Sequence, residues 1–214
     1  MESIEQNINR LIHGDQKSLS VLKDYGVFKT YNKGGRIYPD KEEYFGFFYI
    51  VSGRVRLFTS SFDAKEITIF NIKSQEACIF SAGCVLGYVE FDIALEFMED
   101  SKLFLLPNQA FKDLCQSNEN ILHFNLSLVS KRFKQALEVI NDITFKSLKE
   151  RVIKFLLLNA QHGVVQISQE NIANNIGSAR EAVARIIKEL REDGAISTSR
   201  AQILLQPKIF EYIL

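Results

Sequence analysis

The stretch QENIANNIGSAREAVARIIKEL, residues 169–190, decides how the rest of the chain is read. At about 100° per residue on a helix, Arg180, Glu181, Ala184 and Arg185 span one arc, while Ala182, Val183, Ile186, Ile187 and Leu190 fill the opposite one. An apolar back of this kind pins a helix to a core and leaves the Arg-Glu-Ala-Arg face outward. Ser168 is predicted to cap a preceding helix, with Asn171 three residues on, and Ser178 to cap the second, with Glu181 at the capping-box position. Gly177 stands where a tight turn between two helices needs positive φ, and small Ala173 stands where they cross. Helix, glycine turn, helix: the pattern is a helix-turn-helix.

The outward residues then acquire a chemical reason. Arginine presents a planar fork that matches guanine O6 and N7, and glutamate accepts from cytosine N4. Ala184 is small enough to let a helix sit deep in a groove, and Lys188 stands further along where it reaches phosphate. Downstream, GAISTSRAQILLQP (194–207) reads as two short strands around a turn near Ser199 and Arg200, a wing beside the helix. Ser178 and Arg200 complete the set of candidate DNA contacts with Arg180, Glu181, Arg185 and Lys188. The bland alternative is a surface salt bridge between Glu181 and Arg185 at i, i+4, worth only a few tenths of a kcal/mol, roughly 0.3.

Upstream, TFKSLKERVIKFLLLNA (144–160) has the periodicity of one amphipathic helix, and VVQIS is a brief extended piece. From Asn118 a long helix carries Leu122, Leu126, Val129, Phe133, Ala136, Ile140 and Ile143 at spacings 4-3-4-3-4-3. That is a heptad seam, which favours a two-helix coiled coil between subunits; packing of the helix on its own barrel is the alternative. A second stripe, Ile121, Phe124 and Leu128, suggests that one face meets the barrel and the other a partner subunit. Residues from about 25 to 106 read as short strands rich in Phe, Tyr, Ile and Val, with turns at Gly34–Gly35, Ser52–Gly53 and Phe62–Asp63–Ala64. Such a run implies a small antiparallel barrel or roll. Residues 1–24 have helical spacing, as does the short PNQAFKDLCQ segment. The organisation expected is 1–117, a sensing roll; 118–143, a dimerisation helix; and 144–214, a DNA-binding domain.

Formal net charge is zero over 214 residues, but residues 144–214 hold ten Lys/Arg and seven Asp/Glu, a local excess of +3 that inclines this part toward a polyanion. No apolar run approaches the roughly 20 residues of a membrane span, and MESIEQNINRLIHGDQ is not a secretory signal. With three cysteines and no such signal, a reducing cytoplasm is the expected compartment. No Gly-rich phosphate loop, His-x-x-x-His, Cys-x-x-Cys or Gly-x-Ser-x-Gly occurs, and His13, His123 and His162 are dispersed, so no enzyme class is supported.

With these elements in place, the chain resembles the Crp/Fnr superfamily of bacterial transcription regulators from about residue 20 to its end. YNKGGRIY and YFGFFYIVSGRVRLFTSSFDAKEITI are similar to the family's sensor roll, residues 118–143 to its dimerisation helix, and FKSLKERVIKFLL with ISQENIANNIGSAREAVARIIKELREDGAISTSRAQILL to its winged helix-turn-helix. The resemblance implies an α+β fold: an N-terminal double-stranded β-roll (a cupin-like jelly roll), a long dimerisation helix and a C-terminal winged helix-turn-helix. It implies that Arg180, Glu181 and Arg185 read bases or adjacent backbone in a TGA-like half-site. It also implies a homodimer on a pseudo-palindrome of double-stranded DNA, RNA polymerase as a partner, and no membrane. The rival class is an interaction protein that keeps the fold and has lost signal-dependent DNA binding; the Arg180/Glu181/Arg185 face argues against it.

The signal is where the sequence departs from the best-known members. Cyclic-nucleotide binders carry an arginine in a phosphate cassette; here no arginine lies between Arg56 and Arg132, and SQEACIFSAGCVLGYVEFDIALEF offers a cyclic phosphate nothing to pair with, which argues against cAMP. An iron–sulfur cluster is disfavoured as well, since no cysteine occurs in the first 77 residues. Cys78 and Cys84 remain as a candidate redox or nitrosative pair, set against the reading that both are small buried apolar residues. His123 is the candidate haem ligand, as gas sensors of the family use haem, with Met98 a weaker one; a structural role is the alternative for both.

Overall fold

A computed structural model describes residues 15–38, 46–62, 65–79, 93–199 and 202–212. The chain divides into two compact units: one of residues 1–58 and 69–136, the other of residues 59–68 and 137–214. The boundary falls between residues 136 and 137, inside the long helix expected from Asn118.

In the first unit, helix α1 (Gln16–Tyr25) is capped by Asp15, whose carboxylate accepts from the Ser18 N–H at 3.0 Å. Strands β1 (Val27–Tyr31), β3 (Phe47–Ser52), β6 (Ala77–Ile79) and β8 (Ser101–Leu106) form one antiparallel sheet, ordered β1-β8-β3-β6. A second sheet runs β2 (Arg36–Ile37), β7 (Ala94–Phe97), β4 (Arg54–Ser60) and β5 (Glu66–Lys73). Both orders are those of the described residues. Phe48, Ile50, Leu103 and Leu105 from the first sheet meet Val55, Leu57, Leu95 and Phe97 from the second in a common apolar interior. In each of these strands every second side chain points between the sheets.

Gly53 carries the chain from β3 in one sheet to β4 in the other. Its φ is +96°, and a Cβ there would lie 2.2 Å from Ser101 Oγ, so only glycine makes this corner. On the other face of the second sheet, Arg36, Glu96 and Arg56 stand opposite one another across three adjacent strands, with Arg56 bonded to Glu96 at 2.6 Å. The Arg56 guanidinium also lies 4.5 Å from the centroid of the buried Phe58 ring.

The outer face of the first sheet is covered by helices. α2 (Asn108–Ser117) and α3 (Glu119–Phe145) join Phe47, Tyr49, Phe104 and Leu106 in a second apolar cluster. Phe111 stacks on Phe47 at 4.8 Å, and Ile121 and Leu128 of the expected inward stripe are buried there. The periodicity over 144–160 does not continue one helix. α3 runs through Phe145, and α4 (Leu148–Asn159) starts afresh with Ser147 and Glu150 in a reciprocal capping box.

The second unit completes α4 with strand β9 (Val164–Gln166), helices α5 (Gln169–Ile176) and α6 (Arg180–Glu192), strands β10 (Ile196–Ser199) and β11 (Gln202–Leu205), and a final 3₁₀ segment, Pro207–Tyr212. Within VVQIS, read from sequence as a brief extended piece, Val164–Gln166 pair with β11 and make a three-stranded sheet of the described residues, ordered β10-β11-β9. Val152, Leu156, Ile172, Val183, Leu190 and Ile203 are among its buried core residues.

Candidate nucleic-acid interface

Helix α5 begins as expected: Ser168 Oγ accepts the Asn171 N–H at 3.1 Å. It ends at Gly177, with φ +67° and ψ +51° in the left-handed region, whose N–H donates to the Ala173 carbonyl. The Ser178 N–H donates to the same carbonyl at 3.0 Å. From α4, Arg151 Nη1 donates to the Ile176 carbonyl at 2.9 Å, so the turn is held from beneath. The start of β5 belongs to this unit too: Thr68 Oγ1 donates to Asn175 Oδ1 at 2.9 Å.

The predicted capping box on α6 is not formed. The N-cap is Ala179, with no side-chain cap bond, so Ser178 lies one residue too early and Glu181 occupies the second helical position. The Schellman-like closure of the glycine turn uses one residue more than the sequence reading assigned, and the first-turn N–H groups of α6 are left without a side-chain acceptor.

The division of α6 into two faces holds. Val183, Ile187 and Leu190 are buried, Ile186 packs against the same cluster, and Arg180, Glu181, Arg185 and Lys188 are exposed. The ion pairs of α6 among the described residues are Lys188–Glu192 at 3.7 Å and Glu189–Lys149 at 3.6 Å; Glu181 and Arg185 are left to solvent instead of pairing with each other. A cleft of about 380 Å³ opens between the start of α5, Arg180 and the β10–β11 wing, with Ser168, Gln169, Glu170, Thr198 and Gln202 among its walls. Arg200 lies outside the described residues. At the far end of α6, Asp193 accepts from Lys208 at 2.9 Å and from the Tyr212 hydroxyl, which pins the 3₁₀ segment against the helix. That hydrogen bond to the Asp193 carboxylate pushes the Tyr212 phenol up to about 12.

The candidate dimer residues lie on the opposite side of α3 from the sheet. Leu126, Val129, Phe133 and Ile140 are exposed, Leu122 and Ala136 are half-buried, and Leu137 and Ile143 extend the apolar stripe. Phe133, 64 % exposed, stands in the middle of this contiguous apolar stripe.

Of the candidate sensing residues, Cys78 and His123 are described, and they stand in different surroundings. Cys78 is fully buried between the sheets, and burial pushes its thiol up to about 11, the neutral and unreactive form. Cys84 lies outside the described residues. His123 projects outward with 70 % of its side chain exposed, 3.7 Å from Glu119, surroundings that do not fit an axial haem ligand. No group of three His, Cys, Asp or Glu among the described residues could hold a metal ion. What the sequence reading passed over is a polar stripe on the inward face of α3: Asn125 and Arg132 are buried there, alternating with Ile121 and Leu128 at spacings 4-3-4. The signal was present as two polar residues interrupting an otherwise apolar repeat.

Comparison with known proteins agrees with this architecture. Residues 150–208 match the Crp-like helix-turn-helix domain family. The chain is 25 % identical over 190 residues to the cyclic AMP receptor protein of Thermus thermophilus, covering 87 % of each. It superposes with TM-score 0.85 on a structure described as a Crp/Fnr-family transcriptional regulator from Eubacterium rectale, at 25 % identity and over 93 % of this chain and 94 % of that one. The c-di-GMP-responsive regulator CLP of Xanthomonas campestris shares the fold with TM-score 0.75 at 17 % identity, over 89 % and 99 % of the two chains. Among the described residues no helix is long and apolar enough to cross a membrane. Over residues 150–208 the chain carries a Crp-like helix-turn-helix domain, and over most of its length it is similar to helix-turn-helix transcription regulators of the Crp/Fnr superfamily.

Proposed function

We propose that the protein is a cytoplasmic, homodimeric regulator that reads a pseudo-palindromic DNA site and contacts RNA polymerase, in response to an effector other than a cyclic nucleotide. The observation that carries the DNA reading is α6 itself: Arg180, Glu181 and Arg185 exposed on a helix whose back, with Val183 and Leu190 fully buried, is locked in the core. A helix so anchored presents its polar face without moving, which is what base readout in a major groove requires. The uncapped first turn of α6 adds free N–H donors beside Arg180, suited to a backbone phosphate. The apolar stripe of α3 supports a dimer whose two reading helices address half-sites about one helical turn apart. The absence of arginine between Arg56 and Arg132 supports an effector that is not a cyclic nucleotide.

The test is fluorescence anisotropy on duplexes carrying a TGA-type pseudo-palindrome and on scrambled controls, across a salt series. Specific sites should bind roughly 1,000-fold more tightly than scrambled ones. Glu181→Ala should relax preference at a single base position by about 1–3 kcal/mol while leaving general affinity largely intact. Equal binding to both duplexes, unchanged by Glu181→Ala, would overturn the reading.

A further inference from the structure

The turn between α5 and α6 fixes where the reading helix begins, and α6 does little to fix that point from its own side. Its N-cap, Ala179, makes no side-chain cap bond, and Arg180 and Glu181 open the helix directly after it. Only Ser178 and Ala179 stand between Gly177 and Arg180, so a shift of the turn is passed straight to the proposed base contacts.

Part of the hold on this turn comes from far upstream. Residues 59–68, where β4 ends and β5 begins, belong to the same compact unit as the helix-turn-helix. Thr68 is buried, and its hydroxyl donates to Asn175 Oδ1 at 2.9 Å, 107 positions away in the chain. Asn175 Nδ2 in turn donates to the Asn171 carbonyl at 2.7 Å, so the amide is held at both ends in the last turn of α5. Ile67 covers the glycine itself: a Cβ at Gly177 would stand 2.7 Å from Ile67 Cδ1 and 3.2 Å from its Cβ and Cγ1. Gly177 therefore meets two demands at once, a left-handed φ of +67° and a bare Cα on which Ile67 rests.

A hydroxyl sealed from water costs free energy unless it is bonded, and Asn175 accepts this one. Side chains that read a ligand keep their direction only where neighbours lock the element that carries them. We propose that Thr68 and Ile67 are positioning residues for DNA reading: the start of β5 clamps the glycine turn and sets the direction in which α6 leaves it. β5 runs on beyond Thr68 into the first unit, where Ile72 is fully buried. The turn is thus gripped by Arg151 of α4 and by a strand whose remainder lies in the roll. The inference rests on α6 as the DNA-reading helix and deepens that reading by naming residues outside the helix-turn-helix that direct it.

The experiment is fluorescence anisotropy of the full-length parent, Thr68→Val and Thr68→Ser on the TGA-type duplex and its scrambled control. Valine keeps the shape and loses the hydroxyl, whereas serine keeps the hydroxyl. Thr68→Val should lower the ratio of specific to scrambled affinity about tenfold, with scrambled binding within about twofold of the parent. Thr68→Ser should hold the ratio within about threefold of the parent. Ile67→Val, which withdraws one methyl from Gly177, should lower it about threefold and keeps the test open where Thr68→Val does not fold. A double-mutant cycle supplies the readout that a merely structural role would not move. Glu181→Ala should cost less base discrimination in Thr68→Val than in the parent, because the carboxylate is already misdirected there. Equal costs in the two backgrounds overturn the inference. A parent that separates the two duplexes, with Thr68→Val and Ile67→Val separating them equally well, overturns it too and leaves the reading of α6 standing. A higher ratio in Thr68→Val also overturns it, since the strand would then restrain α6 instead of directing it. A parent that does not separate the duplexes overturns the reading of α6 and this inference with it.

Discussion

At the scale of single residues, the inward face of α3 is the least economical part of the molecule. Asn125 is fully buried, and neither its amide nitrogen nor its amide oxygen has a partner. Water satisfies both groups in the unfolded chain, so folding loses those bonds without replacing them. Asn125→Leu should therefore raise stability by about 1–2 kcal/mol in urea unfolding; a loss of that size would mean that the amide is satisfied in solution. Arg132 on the same stripe has the same character, with a charge in place of an amide. Both were visible as interruptions of the 4-3-4 repeat, but sequence alone does not say that the side carrying them is sealed. Arg180, Glu181 and Arg185 were legible for the opposite reason: exposure on a helix follows directly from the arc opposite an apolar back.

At the scale of elements, the joints hold more than periodicity reveals. The α3–α4 junction is closed by Asp142, which accepts from Lys146 at 2.7 Å and from Lys154 of α4. Burial acts to raise the Asp142 carboxyl, but the hydrogen bonds from both lysines outweigh it and hold the group below its usual 3.8. A carboxylate lowered on folding stabilises the protein above its unfolded value, and this contribution is lost as pH falls through the folded one. Asp142→Asn should thus lower the urea midpoint by a constant amount above about pH 5, with the gap to the parent protein closing below about pH 4. A gap unchanged at acid pH would mean that the ion pairs contribute nothing. The glycine turn is the second joint. At φ +67° any Cβ is strained, and at Gly177 it would also lie 2.7 Å from Ile67 Cδ1. Gly177→Ala should cost about 1–2 kcal/mol for the left-handed backbone alone, read as a lower Tm.

At the scale of the whole molecule, the exposed side of α3 carries the dimer proposal. Phe133→Glu places a charge in the middle of the apolar stripe, where a symmetric interface would bring two copies together. Sedimentation should show a monomer, and affinity for the two-half-site duplex should fall on the order of 100-fold, since each half-site is then bound without the other's effective concentration. A dimer that persists in this variant would assign the stripe to some other role.

What the sequence by itself determined is whatever depends on local order: the helix-turn-helix with its glycine, the faces of α6, the two stripes of α3 and the strand-rich texture of the roll. Period, capping residue and turn chemistry act over a few neighbours, so they survive in the linear text. The break at Ser147 is local as well, a Ser-x-x-Glu capping box that a reading by periodicity passed over. The tertiary structure alone decided two things. It recruited Val164–Gln166 as the third strand of the wing sheet, a pairing whose partner β11 lies almost forty residues downstream. And it buried Arg132 against the Ala77 carbonyl, because whether a charge is solvated or sealed depends on what the rest of the chain packs around it.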